Sequence, residues 1–445
     1  MTAAKTETLI LGAGLTGLSC AYHLGDGGRY RIVERQEAVG GLARTRKRPQ
    51  GFLCDGTGHW LHLRRDVTKK LVNDVLGDNL EARTRRARVY SKGVFTLYPF
   101  QANTFGLPKE VVAACLKGLA DAKFVEQHDE PKNYKEWIRQ HFGEGICQHF
   151  MYPYNEKIYG VPLDTLAATF ASRYIPQPSF EAVVDGALGL SREALGYNAQ
   201  FVYPRQGGIG ALGEGLKAGL QRDVELTRQP VAIDLSKREA KMEDGETIAF
   251  DHLVSTIPLP KLIELIGVGT PDGVPDEIVE ATGRLRANSV LYFDVAIKGE
   301  PKEHQDYHWI YLPEREFPFY RVGSYSAVER SLAPAGHRSY YVEMGHYGDV
   351  DPAQFEQGVM DGLRRLGLIA DEDEIVFMIP NVLSPAYVLF DDVYESSRAE
   401  VLGWLDAQRV ISVGRYGRWQ YNAMEDALIE GMEAAEKIDA ARGSV

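Results

Sequence analysis

Gly12-Ala13-Gly14-Leu15-Thr16-Gly17 has the residue types and spacing of a loop that cradles a diphosphate. In such a loop the first glycine makes the tight turn and the second lets the backbone approach the phosphates. The third lets helix and strand pack closely. Glu34, twenty residues beyond Gly14, is placed to accept hydrogen bonds from a ribose. Tyrosines and arginines recur in short segments: Tyr98-Pro99-Phe100-Gln101, Phe150 to Tyr159, Phe317 to Arg321 and Gly414 to Tyr421. A nucleoside diphosphate needs an aromatic face for its base and planar, permanently charged donors for its phosphates. Arginine supplies two-pronged hydrogen bonds that lysine cannot, and tyrosine adds hydroxyl donors on rigid rings.

The elements that must position these residues occur in the required order. Thr8-Leu9-Ile10-Leu11 reads as an apolar strand, Leu15 to Leu24 as a helix with its N-terminus toward the phosphates, and Tyr30-Arg31-Ile32-Val33 as a second strand ending at Glu34. The nucleotide fold returns three times. Val224 to Ile248 reads as short alternating strands, Val224-Glu225-Leu226 and Val231-Ala232-Ile233, with a turn at Glu243-Asp244-Gly245. His252 to Thr256 reads as a buried strand ended by Pro258 and Pro260. Arg409 to Val413 leads into Gly414-Arg415-Tyr416-Gly417 and an amphipathic helix from about Met424 to Ile438. Leu107 to Leu195 carries helical periodicity and aromatic residues, whereas Ser289 to Val388 is rich in strand formers.

A second glycine pair follows the ribose-binding acid closely, in Arg35-Gln36-Glu37-Ala38-Val39-Gly40-Gly41-Leu42-Ala43-Arg44-Thr45. It is similar to the two-dinucleotide-binding-domain flavoproteins. That likeness implies FAD, with Gly40 and Gly41 passing the pyrophosphate, Arg44 near the flavin and Val231 where adenine meets the backbone. Arg35, Leu42, Gly58, His59, Gly414, Arg415, Asn422, Ala423 and Met424 are assigned to the cofactor on the same grounds. The expected fold is α/β: a Rossmann-like FAD-binding domain from residues 1–90, 200–270 and 405–445, an inserted helical domain at 105–195, and an antiparallel β-sheet domain from 91–104 and 275–400.

The aromatic segments together resemble the UDP-galactopyranose mutases, especially the longer, eukaryotic-type branch. The resemblance runs from the first strand to the last helix. It implies that Tyr98, Gln101, Phe150, Asn155 and Tyr159 hold the uridine, and that Arg173 and Arg321 grip the diphosphate. It puts Tyr311, Tyr387 and Tyr421 around the same group, Asn198 near the sugar, and the backbone of His59 toward flavin N5. The implied reaction is a redox-neutral interconversion of the pyranose and furanose forms of a UDP-hexose. N5 of reduced FAD is its nucleophile at the anomeric carbon, with Arg173, Arg321 and His59 at the reacting centre. One position departs: the family usually has two glycines before the histidine, and Thr57 precedes Gly58 here. The rival expectation is an FAD-dependent oxidoreductase of the amine oxidase or protoporphyrinogen oxidase type.

Composition narrows the rest. A chain of 445 residues is too long for one compact core and implies two or three domains. Cys20, Cys54, Cys115 and Cys147 are scattered without a C-x-x-C, which fits reducing, cytoplasmic conditions. The histidines lack metal-ligand spacing, so no metal is expected, and no apolar run reaches the ~18 residues of a membrane span. A net charge of −12 argues against nucleic acid. Two basic clusters, Arg44, Arg46, Lys47 and Arg48, and Arg83, Arg85, Arg86 and Arg88, read as solvated faces. There is no second nucleotide fingerprint for a nicotinamide domain, so an external reductant such as NAD(P)H is expected. Whether the chain forms a homo-oligomer is left open.

Overall fold

The computed structural model describes residues 4–25, 29–169, 175–190, 200–299 and 307–442. β1 (Ala4–Leu11) is buried over its last four residues, as a strand covered on both faces must be. It pairs in parallel with β2 (Tyr30–Val33) on one side and with strand Thr247–Ser255 on the other. On its other edge Thr247–Ser255 serves two further partners. Its C-terminal half takes Val410–Ser412 in parallel, and its N-terminal half takes the antiparallel hairpin of Pro230–Asp234 and Glu239–Met242. α1 (Leu15–Leu24) and helix Met424–Arg442 close one face of this sheet. They meet at Gly431, where a Cβ would come within 2.3 Å of the Thr16 carbonyl oxygen. This is the expected Rossmann-like arrangement.

One sequence expectation fails here. Val224-Glu225-Leu226 is not a strand; it forms only an isolated bridge, Val33 to Glu225. The chain turns at Thr227, which has φ 52°, and the Glu225 carboxylate is drawn to Arg31 at 2.6 and 2.8 Å. A ladder cannot propagate through that reversal.

A second, seven-stranded sheet runs in the order Ile375–Leu383, Ser289–Lys298, His337–His346, Arg321–Ser324, Trp309–Tyr311, Ala87–Ser91, Val94–Leu97. Its pairings are antiparallel except Trp309–Tyr311 with Ala87–Ser91, which is parallel. The boundary expected at residue 90 therefore falls inside a strand of this sheet. Helices Lys109–Ala120, Tyr134–Ile146, Tyr152–Tyr159 and Phe180–Ala187 surround a separate apolar core that includes Leu107, Cys115, Trp137, Ile138 and Phe142. Two polar anchors hold this helical unit on the sheet. Asn288 donates to the carbonyls of Ile158 and Tyr159 at 2.8 and 3.1 Å, and Lys157 Nζ donates to those of Leu312 and Glu314 at 2.7 and 3.0 Å. Among the described residues no helix is long and apolar enough to cross a membrane.

Candidate active site

The first loop after β1 is built as its glycines require. Gly12 has φ +97°, and a Cβ there would sit 2.4 Å from Thr256 Oγ1. At Gly17 a Cβ would sit 1.9 Å from the Gly12 carbonyl oxygen, so helix and turn interlock only without a side chain. Gly14 differs. A Cβ there would meet nothing nearer than the Gly41 Cα at 3.8 Å. No protein atom demands this glycine, so the space it leaves suits a ligand. The second glycine pair packs directly on the first: Gly40 N–H donates to Ala13 at 2.8 Å, and Gly41, at φ +62°, approaches Gly14.

Glu34 closes the turn. Its carboxylate accepts from the backbone N–H of Ala13 at 2.8 Å and of Gln36 at 2.9 Å. From here a cavity of about 820 Å³ runs along Gly12, Gly14, Leu15, Thr16, Arg35, Gly40, Gly41, Leu42 and Arg44 toward His59, Gly414 and Arg415. Ligand pockets usually measure roughly 300–1,000 Å³. Asn422, Ala423 and Met424, at the start of the last helix, form part of its wall. Buried Nε atoms of Arg44 and Arg415 have no partner in the protein, although both residues line the cavity. A glycine cradle, a paired acid and unpartnered guanidinium nitrogens fit a dinucleotide such as FAD. Val231 lies off this wall with 40% of its surface exposed, and Gln229 and Pro230 line the cavity instead. Strand alternation turns only the Val231 side chain away; its backbone, the part expected at adenine, adjoins the cavity-lining Pro230.

At the far end, His59 follows Gly58, which lies against the Tyr341 hydroxyl; a Cβ on Gly58 would meet that oxygen at 2.5 Å. Burial lowers the His59 imidazole pKa to about 4, helped by the nearby charges of Arg321 and Arg415. The ring is therefore neutral at pH 7. Thr57 brings its hydroxyl to 3.5 Å from His59 Nδ1.

An aromatic belt borders this end. Tyr98 stacks on Tyr311 with centroids 4.8 Å apart, and Tyr311 meets the edge of Tyr154 at 5.5 Å. Tyr387 lies 6.1 Å from Tyr159 and stacks on Tyr421 at 6.4 Å. Arg415 stands over Tyr421, 4.7 Å from its centroid. Desolvation raises the hydroxyl pKa of Tyr98, Tyr154, Tyr159 and Tyr387, so all four remain donors at neutral pH.

The residues singled out for the nucleotide are not all turned toward open space. Gln101, 3% exposed, donates to the Pro176 carbonyl at 2.9 Å. Asn155, 5% exposed, spends its amide on Met151 O at 2.6 Å and accepts from Tyr134 at 3.1 Å. Phe150 stacks on Phe100 and Tyr154 at 4.9 and 5.0 Å, inside the helical core. Arg321 forms a two-pronged pair with Glu343: Nε reaches one carboxylate oxygen, and Nη2 the other at 2.8 Å. Nη1 stays outside that pair. Arg173 and Asn198 lie outside the described residues.

Residue spacing did not reveal Glu343, nor Tyr154 and Tyr320 beside Arg321. The Arg321–Glu343 pair arises because those two residues face each other in sheet register. Arg46 was visible, but as part of a basic surface run; it lines the cavity. Among the described residues no group of side chains could hold a metal.

The chain is similar to several known proteins. The coproporphyrinogen III oxidase of Bacillus subtilis (strain 168) is 21% identical over 290 residues, 58% of this chain. The match spans 61% of that protein, less than two thirds of its length. A crystal structure of reduced UDP-galactopyranose mutase superposes with a TM-score of 0.90 at 25% identity, covering 100% of this chain and 95% of the other. A redesigned putrescine oxidase superposes at 0.68 with 14% identity, covering 99% of this chain and 100% of the other, a likeness of fold alone. Residues 15–439 match the family described as flavin containing amine oxidoreductase, and the chain belongs to that family.

Proposed function

We propose that the protein is an FAD-dependent mutase that interconverts the pyranose and furanose forms of a nucleotide-linked hexose, a UDP-hexose in the first instance. The observation that carries this reading is the full-length similarity to a reduced UDP-galactopyranose mutase, at 25% identity and a TM-score of 0.90. The cluster at the cavity end supports it: two guanidiniums, Arg321 and Arg415, lie close enough to His59 to depress its basicity, among tyrosines that remain protonated. Cations on rigid supports suit a departing diphosphate, because preorganised charge counts most where charge develops.

When bound and reduced, FAD supplies the nucleophile for the anomeric carbon. The protein's own part is to hold the diphosphate in place for its return. Arg321 serves through Nη1, Arg173 as a second guanidinium, and Tyr311, Tyr387 and Tyr421 through their hydroxyls. His59 stays neutral and adds no competing charge. Asn198 addresses the sugar.

A second reading, oxidation of an apolar or amine substrate, is favoured by the family description and the coproporphyrinogen III oxidase match. One experiment separates the two. Purified holoprotein is reduced with dithionite and offered UDP-, dTDP- and GDP-hexoses under anaerobic conditions. Chromatographic appearance of a furanose isomer only with the reduced protein is the expected result. Oxygen consumption stoichiometric with product, and no isomer, would establish the oxidase.

A further inference from the structure

The basic run after the second glycine pair contains Arg46, to which neither reaction class gives a role. Its three arginines differ in how they are neutralised. Arg48 is neutralised by Asp294, with Nε and Nη2 on its carboxylate at 2.9 and 2.5 Å and Nη2 also on Asn381 at 2.6 Å. Among the described residues, no carboxylate lies within ion-pairing distance of Arg44 or Arg46. Both line the cofactor cavity, and Arg44 is half-buried. Two half-buried guanidiniums without a counter-charge on one wall call for an anion.

Arg46 is held at a particular place on that wall. It lies on β3 (Arg46–Lys47), paired with β4 (Leu53–Cys54) so that Arg46 faces Cys54, two residues before Gly56 and five before His59. Its Nη1 donates to the fully buried Tyr292 hydroxyl at 2.7 Å. Gly56, at φ +81°, makes room: a Cβ there would sit 2.8 Å from Arg46 Nη1. Arg44, by contrast, reaches Gln36 at 3.3 Å, on the ribose side of the loop.

We propose that Arg46 is the residue that tunes the flavin, stabilising the negative charge the isoalloxazine gains when two electrons and one proton are taken up from an external reductant. A fixed cation beside the ring favours the anionic reduced form over the neutral oxidised one. The role is independent of whether the protein is a mutase or an oxidase, since it concerns the bound cofactor and not its substrate.

The test uses the holoprotein and reads the flavin spectrum, not turnover. Midpoint potentials are measured by dye equilibration for wild type, Arg46→Gln, Arg46→Lys and Tyr292→Phe, together with the affinity for oxidised FAD. Arg46→Gln is expected to make the two-electron reduction about tenfold less favourable, about 30 mV more negative, with affinity for oxidised FAD nearly unchanged. Arg46→Lys should recover most of that shift. Tyr292→Phe keeps the charge but frees the side chain, so it should move the potential in the same direction by less. Unchanged potentials would overturn the proposal. So would an equal loss of affinity for oxidised and reduced FAD, which would assign Arg46 to the pyrophosphate. If Arg46→Gln fails to fold, the Tyr292→Phe potential decides alone.

Discussion

At the scale of single residues, one guanidinium at the cavity end, that of Arg321, is balanced within the protein before any ligand arrives. Glu343 is 2% exposed, and Arg321 is its two-pronged partner. Removing one member of such a pair leaves an uncompensated buried charge, at a cost of about 3 kcal/mol. Arg321→Ala is thus expected to lower the melting temperature and, on the proposed mutase reading, to cut turnover by about 10²-fold. Glu343→Gln retains the guanidinium, so it should keep nucleoside-diphosphate binding in a calorimeter where Arg321→Ala loses it. His59 makes a separate prediction. Its folded-state pKa, about 4, lies below the ordinary 6.5, so between those values the unfolded chain binds more protons and stability falls as pH drops. Asp55, raised to about 6 by burial, acts with the opposite sign over most of that window. Comparing denaturant midpoints of wild type and His59→Gln from pH 7 to 4 isolates the histidine: the variant should lose less stability on acidification.

At the scale of elements, the glycines of the first turn separate two jobs that the motif merges. Gly17 is required by the fold, because a Cβ would collide with Gly12 at 1.9 Å. Gly14 is required only by what approaches it; its φ of −70° suits any residue, and a Cβ would make an ordinary contact at 3.8 Å. Gly14→Ala is therefore expected to leave the apoprotein melting temperature within about 1 °C to 2 °C of wild type, a surface-sized effect. It should also strip FAD from the purified protein. Gly17→Ala should lose both fold stability and flavin, as read by melting curves and by the ratio of 450 nm to 280 nm absorbance.

Across the whole molecule, the aromatic belt is complete only while the helical unit sits on the seven-stranded sheet, since Tyr154 and Tyr159 come from the unit, Tyr311 from the sheet, and Tyr387 from the segment that follows its strand Ile375–Leu383. Asn288 is the buried clasp, joining two helix-end carbonyls to the Tyr387 backbone N–H, which it accepts at 2.8 Å. Asn288→Ala leaves those groups unsatisfied and should cost about 1–3 kcal/mol. If docking assembles the site, KM for the proposed nucleotide-sugar substrate should rise more than kcat falls.

The chain's local order determined a great deal by itself. Gly12 to Gly17, the strand before it and Glu34 after it specify a dinucleotide fold because their constraints are short-range: a tight turn, a helix start and a strand end within about thirty residues. The strand-rich and helix-rich halves of the middle were likewise visible in periodicity. What sequence could not decide was pairing across the sheet and burial. Arg321 meets Glu343 through strand register, 22 residues apart in the chain. Gln101 turns inward because the Pro176 carbonyl, 75 residues on, comes alongside it, and Asn155 is buried beneath the hydroxyl of Tyr134, 21 residues before it. Arg46 faces the cofactor cavity and not solvent because a two-residue strand and the missing side chain at Gly56 leave it room there. Each of these outcomes depends on which distant backbone comes alongside, and only the folded molecule sets that.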